Sequence, residues 1–352
     1  MKTEQGRCEI VESHDFTALL FCYNKNSVKS EIFPQNSIFF TEKNAIILWV
    51  KTEFALQEEI YQMKKKKIRL ILIILFIIAA ALAVWITVSL WVSENYIVIR
   101  EYTADTGKGG NGFRAVVISD LHDHVFGEDN DELAEKIRQA DPDIILMDGD
   151  MLNAESEDAS VPLSLIRQVK ETAPVYYALG NHEEAYIADG HPELGDELAE
   201  AGAVVLDKNY TDIEVNGVQI RLGGMYDYAF GLNGNNDALA APDDTLNFLR
   251  EFQDTDRLKI MLAHRPDSFI FGDASQVWDV DLVISGHNHG GQVILPFLGG
   301  LYGGDQGWFP EYVRGMYEKG NFQMFVTSGL GSNRQKLPRF NNPPEVAVLT
   351  IR

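Results

Sequence analysis

The sequence predicts an α/β domain, its sheet partly antiparallel, preceded by one transmembrane helix. Three observations carry the prediction. Beyond residue 112, apolar runs of strand length alternate with longer segments, several of them with helical period. Ahead of them, residues 70–92 form a stretch of 23 residues without one charged side chain. In the closing third, residues 322–328 and 345–351 read as strands with no helix between them, which argues against a wholly parallel sheet.

Residues 1–62 show no sustained helical or strand period and hold both cysteines, Cys8 and Cys22. They read either as a small cytoplasmic extension or as sequence upstream of the native start, because Met63 and the four lysines after it have the form of a bacterial anchor's beginning. The apolar stretch from Leu70 to Val92 spans roughly 34 Å as a helix, enough for a hydrocarbon core of about 30 Å. Five basic residues (Lys64 to Lys67 and Arg69) flank its N-terminal side against Glu94 on the other. That asymmetry places the N-terminus in the cytoplasm and the rest outside. Ala81-Leu82-Ala83 has the small-x-small form of a signal-peptidase site, but the apolar run continues nine residues further and favours a retained, single-pass anchor in the cell membrane. The expected organisation is an N-terminal segment (1–62), a basic flank and anchor (63–92), a linker whose Gly-rich part is 104–112 (93–112), and one domain (113–352).

Within that domain, strands are expected at 113–119, 143–147, 175–179, 218–222, 258–263 and 281–285, besides the two in the closing third. Helices are expected at 131–139, 163–171, 193–200 and 245–252. The domain has no cysteine, so it carries neither a disulfide framework nor a thiolate metal site. The chain's formal charge is −22; residues 1–92 hold 9 acids and 11 bases, leaving 43 acids and 19 bases, about −24, beyond them. A field of that sign opposes nucleic acid polymers, whose binding rests on lysines and arginines neutralising phosphates. A small phosphorylated substrate stays compatible with it, because bound divalent cations reverse the local potential. Nothing in the sequence sets the oligomeric state.

The expected strands end in a particular set of side chains. AVVISDLHD ends in Asp120 and His122, DIILMDGDM in Asp150, VYYALGNHE in Asn181 and His182, KIMLAHRP in His264, and DLVISGHNH in His287 and His289. Ligands of α/β sheets bind beyond the carboxyl ends of strands, so these termini can converge on one crevice. Residues i and i+2 of an extended chain point to one side, so Asp120/His122 and His287/His289 can each aim two groups into it. Gly149, Gly180 and Gly286 suit tight turns near an ion. Five of the eight histidines fall at these positions, while His14, His124 and His191 read as surface residues. Imidazole and carboxylate without thiolate suit Mn, Fe or Zn better than a calcium or magnesium site built of oxygen alone.

The order D-x-H, G-D, G-N-H-E, H, G-H-x-H over residues 113–352 resembles the calcineurin-like metallophosphoesterase superfamily. GHNHGGQVILPF and the tail TSGLGSNRQKLPRFNNPPEVAVLTIR are similar to its bacterial membrane- or wall-associated phosphodiesterases. The resemblance implies two packed mixed β-sheets flanked by helices. It also implies one metal held by Asp120, His122, Asp150 and His289, and a second held by Asp150, Asn181, His264 and His287, with Asp150 bridging. His182 would act on the scissile group as the catalytic residue. Two divalent ions roughly 3.5–4 Å apart lower the pKa of a shared water, so a bridging hydroxide becomes available to attack a phosphodiester, or a phosphomonoester. A phosphorylated lipid or a nucleotide-sugar pyrophosphate at the membrane is the alternative substrate, and a metal-bound scaffold without activity the rival of another class. All eight expected positions are filled, which favours the enzyme.

Two departures from the family pattern stand out. Asp148 sits two residues before Asp150 and reads either as an acceptor for a ligating histidine or as a solvated strand-end acid. No arginine follows Asp150, so the chain does not read as a protein Ser/Thr phosphatase. Trp308, Phe309, Tyr312 and Tyr317 lie in a Gly-rich stretch and read as cleft lining, membrane-surface contacts or core; Arg334 and Arg339 read as contacts to a distal phosphate or as structural residues.

Overall fold

A computed structural model of the chain describes residues 8–13, 17–22, 42–226, 230, 235–332 and 337–352. Strands β1 (Cys8–Ser13) and β2 (Thr17–Cys22) pair as an antiparallel hairpin. Helix α1 (Glu42–Asn95) runs 54 residues without interruption and contains the whole expected anchor; it is long and apolar enough to cross a membrane. Residues 1–62, which show no sustained period in the sequence, nevertheless contain this hairpin and, from residue 42, the start of α1. That last segment is rich in Ala, Leu, Glu, Gln and Lys, which propagate a helix without needing an apolar face.

Residues 78–352 form the larger of two compact units. Its elements are β3 (Val98–Ala104), β4 (Phe113–Ile118), α2 (Asp131–Gln139), β5 (Ile144–Asp148), α3 (Ser160–Val169), β6 (Val175–Ala178), α4 (Asn181–Ala188), α5 (Leu194–Ala201), β7 (Ala203–Leu206), β8 (Asn209–Val215) and β9 (Val218–Met225). They continue with α6 (Asp243–Gln253), β10 (Leu258–Ala263), α7 (Asp267–Ile270), α8 (Ala274–Val277), β11 (Leu282–Ser285), β12 (Ile294–Leu295), β13 (Gly299–Gly300), β14 (Gly315–Lys319), β15 (Phe322–Val326) and β16 (Glu345–Ile351). One six-stranded sheet has the order β3-β16-β4-β5-β6-β7 and the other β14-β15-β11-β10-β9-β8. Both are mixed: β16 runs antiparallel to β4 and parallel to β3, while β14 and β8 are antiparallel edges of an otherwise parallel sheet.

Alternation along the strands sets the layering. Ala115 and Val117 face the other sheet's Ile220, Leu222, Ile260, Leu262 and Ile284. Val116 and Ile118 point the opposite way, against Leu133 and Ile137 of α2 and Leu165 and Ile166 of α3. On the far side of the second sheet, Met261, Val283 and Met324 pack against Phe248, Leu249 and Phe252 of α6. Because the central strands are buried on both faces, their sequences are apolar runs without polar alternation. Helix α2 adds acids in its first turn and Lys136 and Arg138 in its last, complementing its dipole.

The eight expected strands and four expected helices are present, with ends shifted by up to about three residues. Within the stretch expected as linker and entry segment (93–112), β3 occupies 98–104 and closes the edge of the first sheet beside β16. Strands β7, β8 and β14 were not expected; they are edge strands, β8 and β14 mixing polar with apolar residues, while β7 is apolar but only four residues long.

Candidate metal centre

Strands β4, β5 and β6 of one sheet and β10 and β11 of the other end together, and the eight candidate residues follow those ends. Backbone bonds continue the β4–β5 ladder into the loops: Asp120 N–H donates to Gly149 O at 3.0 Å and His122 N–H to Asp150 O at 3.0 Å. His287 N–H donates to the Asp120 carboxylate at 3.0 Å, tying the two sheets together at the site.

The period-two argument for aiming paired ligands does not hold. Asp120, His122, Asp150, His287 and His289 all have positive φ, between 45° and 65°. The side chains after β4, β5 and β11 converge because those strands break into left-handed turns, a conformation that costs non-glycine residues and clusters at functional sites, whereas Asn181 and His182 are placed by the first turn of α4. Gly149 is in the same region (φ 69°), and a Cβ there would lie 2.5 Å from the Gly180 Cα. A Cβ on Gly286 would strike the Ser119 hydroxyl and lie 2.7 Å from Asp120 Oδ2.

Two triads result. Asp120, His122 and His289 offer ligand atoms within 4.8 Å of one another, and so do Asp150, His264 and His287. Asp150 joins them: its Oδ2 is 3.0 Å from His264 Nε2 and 3.8 Å from His122 Nε2. His122 Nε2 and Asn181 Oδ1 are buried and make no hydrogen bond, and the buried His264 Nε2 faces Asp150 Oδ2 at 3.0 Å. Buried polar atoms left without partners are costly, and a cation coordinated by them removes the cost. The donor set, nitrogen and oxygen without sulfur, fits divalent Mn, Fe or Zn.

The other ring nitrogens are fixed from behind. His122 Nδ1 lies 3.0 Å from Asn153 Oδ1, whose amide group donates in turn to His122 O and Asp123. His264 Nδ1 lies 2.6 Å from the backbone oxygen of Asp148, and His289 Nδ1 lies 3.3 Å from Gly331 O. Each bond sets the tautomer that leaves Nε2 as the free donor. At His182, by contrast, Nδ1 accepts from Ala154 N–H at 3.0 Å, so the neutral ring keeps its proton on Nε2.

Burial pushes His122 down to about 4 and holds His287 and His289 below the usual histidine range, with the neighbouring aspartates pulling the other way. These rings are neutral, as metal coordination requires. For His264 burial is outweighed by Asp150 and Asp120, which hold it well above its usual value, and Asp150 is correspondingly held well below the carboxylate range. Asp148 is not a solvated acid: it is fully buried and meets the candidate ligand His264 as an acceptor, but through its backbone oxygen, while its carboxylate makes no hydrogen bond and is pushed up to about 8 by burial.

Sequence reasoning passed over Glu183, the last letter of G-N-H-E. Its carboxylate accepts from Asp150 N–H, Met151 N–H and Gly180 N–H, each at 2.8 Å, and from Tyr177 OH at 2.7 Å. It clamps the β5 and β6 turns together. A Glu three residues into a helix returning to the N-cap amide is a recognisable signal, so it was legible. Asn153, Arg265, Tyr302 and Asp305 carry no such signal. The last three, with His182 and His287, line a cleft of about 370 Å³ over the two triads, and Arg265 and Asp305 pair across it.

Arg339 is buried and donates to Ser328 O, Gly329 O, Gly331 O and Asn342 O, so it shapes the loop behind His289 and is not available to a phosphate. Arg334 and His14 lie outside the described residues. Tyr312 and Tyr317 pack onto the third apolar cluster, whereas Trp308 and Phe309 are exposed. His124 and His191 are half-buried, the latter stacked on Tyr186.

Residues 113–291 match the family described as calcineurin-like phosphoesterase. The chain is 30% identical over 251 residues to the uncharacterized metallophosphoesterase YkuE of Bacillus subtilis, covering 69% of this chain and 80% of that one. It is 30% identical over 244 residues to the phosphodiesterase YaeI of Escherichia coli, covering 68% and 82%. A metallophosphoesterase of Aquifex aeolicus is 28% identical over 269 residues, covering 74% and 94%.

Proposed function

The chain belongs to the calcineurin-like phosphoesterases, metal-dependent phosphoric ester hydrolases, and on that premise we propose that it is a membrane-anchored phosphodiesterase with a dinuclear centre. Asp120, His122, Asp150 and His289 would hold one divalent ion, and Asp150, Asn181, His264 and His287 would hold the other. The observation that carries this reading is the meeting of the two triads at strand ends of both sheets, with His122 Nε2 and Asn181 Oδ1 buried and without a hydrogen bond. When bound, the ions supply an activated water and neutralise phosphate oxygens.

The chain's own residues do the rest. Asp150 lies within reach of both triads and keeps its charge, so it can bridge two ions that repel each other. Its Oδ1 accepts from His182 N–H at 2.8 Å, which fixes the catalytic histidine relative to that carboxylate. His182, held at Nδ1 by Ala154, presents Nε2–H as a donor to a phosphoryl oxygen in the cleft. Helix α1 crosses the membrane, with the N-terminus in the cytoplasm and the catalytic domain outside, and the partner molecule is a small phosphoester.

The test is metal analysis of the purified full chain together with turnover of bis-p-nitrophenyl phosphate after loading with Mn, Fe or Zn. Two ions per chain and hydrolysis abolished by chelation are expected. Bound metal with no hydrolysis of any phosphoester would favour the scaffold.

A further inference from the structure

The cleft is tied directly to the outer end of α1. Ser93, fully buried, accepts at Oγ from Asn342 N–H at 2.9 Å, and Asn342 Nδ2 donates to His289 O at 2.7 Å. Two side chains thus separate the helix from a candidate ligand. Two turns deeper, Trp85 meets Phe340 edge-to-face with ring centroids 5.1 Å apart. Trp85 lies seven residues before Val92, about 10 Å down the helix axis and inside the apolar stretch. Whatever packs on Trp85 therefore lies alongside helix surface suited to lipid.

Phe340 leads on to an apolar rim. Its backbone oxygen accepts from Ile294 N–H at 2.9 Å, and Ile294 begins the β12–β13 hairpin. At the tip of that hairpin Phe297 and Leu298 are exposed, Phe297 completely. The hairpin continues into the segment over the cleft: a Cβ on Gly304 would lie 2.9 Å from His287 Nε2, and Tyr302 pairs with Trp308. Trp308 and Phe309 are 65% and 58% exposed. Phe297 and Phe309 both have positive φ, strain with no packing gain to offset it. On α1 itself Ile86, Val88 and Trp91 are exposed beyond the face that the domain covers. The domain's strong negative charge repels anionic headgroups, so attachment to a lipid surface falls to apolar contacts.

We propose that Phe297, Leu298, Trp308 and Phe309 form a lip that enters the interface of the bilayer crossed by α1, so that the cleft opens at headgroup level and takes phosphoesters carried by membrane lipids. This rests on the membrane-anchored phosphodiesterase reading above and assigns its substrate class. The lip places the scissile phosphate of an embedded lipid against the His287 side of the cleft and spares the lipid from leaving the bilayer.

The test uses the full chain in lipid nanodiscs, with Cys8→Ser and Cys22→Ser and a nitroxide on Leu298→Cys. The label should be accessible to oxygen and shielded from a water-soluble nickel chelate. A label open to nickel, or shielded from both as in a contact between protein copies, overturns the proposal. The second arm compares phosphatidyl-p-nitrophenol in the nanodisc with bis-p-nitrophenyl phosphate in solution, which share a leaving group. The double variant Phe297→Asp/Leu298→Asp should lose about tenfold or more in kcat/KM on the embedded probe and stay within about twofold on the soluble one. Equal rates for variant and wild type on the embedded probe overturn the proposal, as does a wild type that cleaves only the soluble one. Should neither probe be cleaved, the phosphodiesterase reading has failed, and the label depth still decides the lip.

Discussion

Replacing Glu183 tests whether the metal centre is built by its supporting turns. In Glu183→Ala, three backbone amides (Asp150, Met151 and Gly180) and the Tyr177 hydroxyl lose their acceptor inside a fully buried pocket. Each unpaired buried donor costs about 1–3 kcal/mol, and water entering the vacated volume recovers part, so the expected loss is about 4 kcal/mol. For a domain of this size each kcal/mol moves Tm by about 2–4 °C, giving a fall of about 8–16 °C. Glu183→Gln keeps one oxygen for Asp150 and Gly180; its amide group can donate to a reoriented Tyr177 hydroxyl and opposes only Met151 N–H. About 2 kcal/mol, or about 4–8 °C, is expected there. Because the same bonds orient the Asp150 turn, the Ala variant should also bind metal about 10–100-fold more weakly. Thermal unfolding of the full chain in detergent, followed by metal titration, reads both effects. An Ala variant that melts within about 2 °C of wild type, with full metal content, refutes the clamp.

Three further outcomes are expected. His182→Ala should retain both metals and lose about 10²–10⁴-fold in kcat, whereas Asp150→Ala should lose metal as well; metal analysis beside turnover separates them, and a fully active His182→Ala refutes the role assigned to that ring. His122 has a folded-state pKa of about 4 against 6.5 in the unfolded chain. Between those values the unfolded chain binds the proton and the folded one does not, so stability falls as pH drops from 6.5 towards 4, by up to about 3 kcal/mol. In chelator, His122→Asn should therefore show a smaller acid loss of denaturant midpoint than wild type, and equal losses would contradict the assignment. Gly286→Ala drives a methyl group against Ser119 and Asp120 where the two sheets meet, and should cost about 1–3 kcal/mol by urea unfolding together with metal affinity; a neutral result would mean that the turns can move apart.

The sequence revealed the interior of the domain and concealed its rims, for one physical reason. Strands β4, β5, β10 and β11 are buried on both faces, so their apolar runs stand out and the ligands that break those runs stand out with them. Strands β8 and β14 carry one wet face each and leave a faint trace. The candidate residues were legible because His, Asp and Asn after a strand are chemically conspicuous, yet extended geometry is not what pairs them: left-handed turns aim Asp120 with His122 and His287 with His289. Asn153 and Asp305 went unread because their positions in loops acquire meaning only once the chain is folded.

Strand β16 comes last of the described strands in chain order, yet it lies inside its sheet, between β3 and β4, with Glu345 opposite Val98. During synthesis the first sheet therefore stays split until residues near 350 have left the ribosome and, on the topology proposed, the translocation channel. A stop codon that removes β16 should leave the earlier strands with no partner at that gap, and protease sensitivity of the truncated chain would report the gap directly.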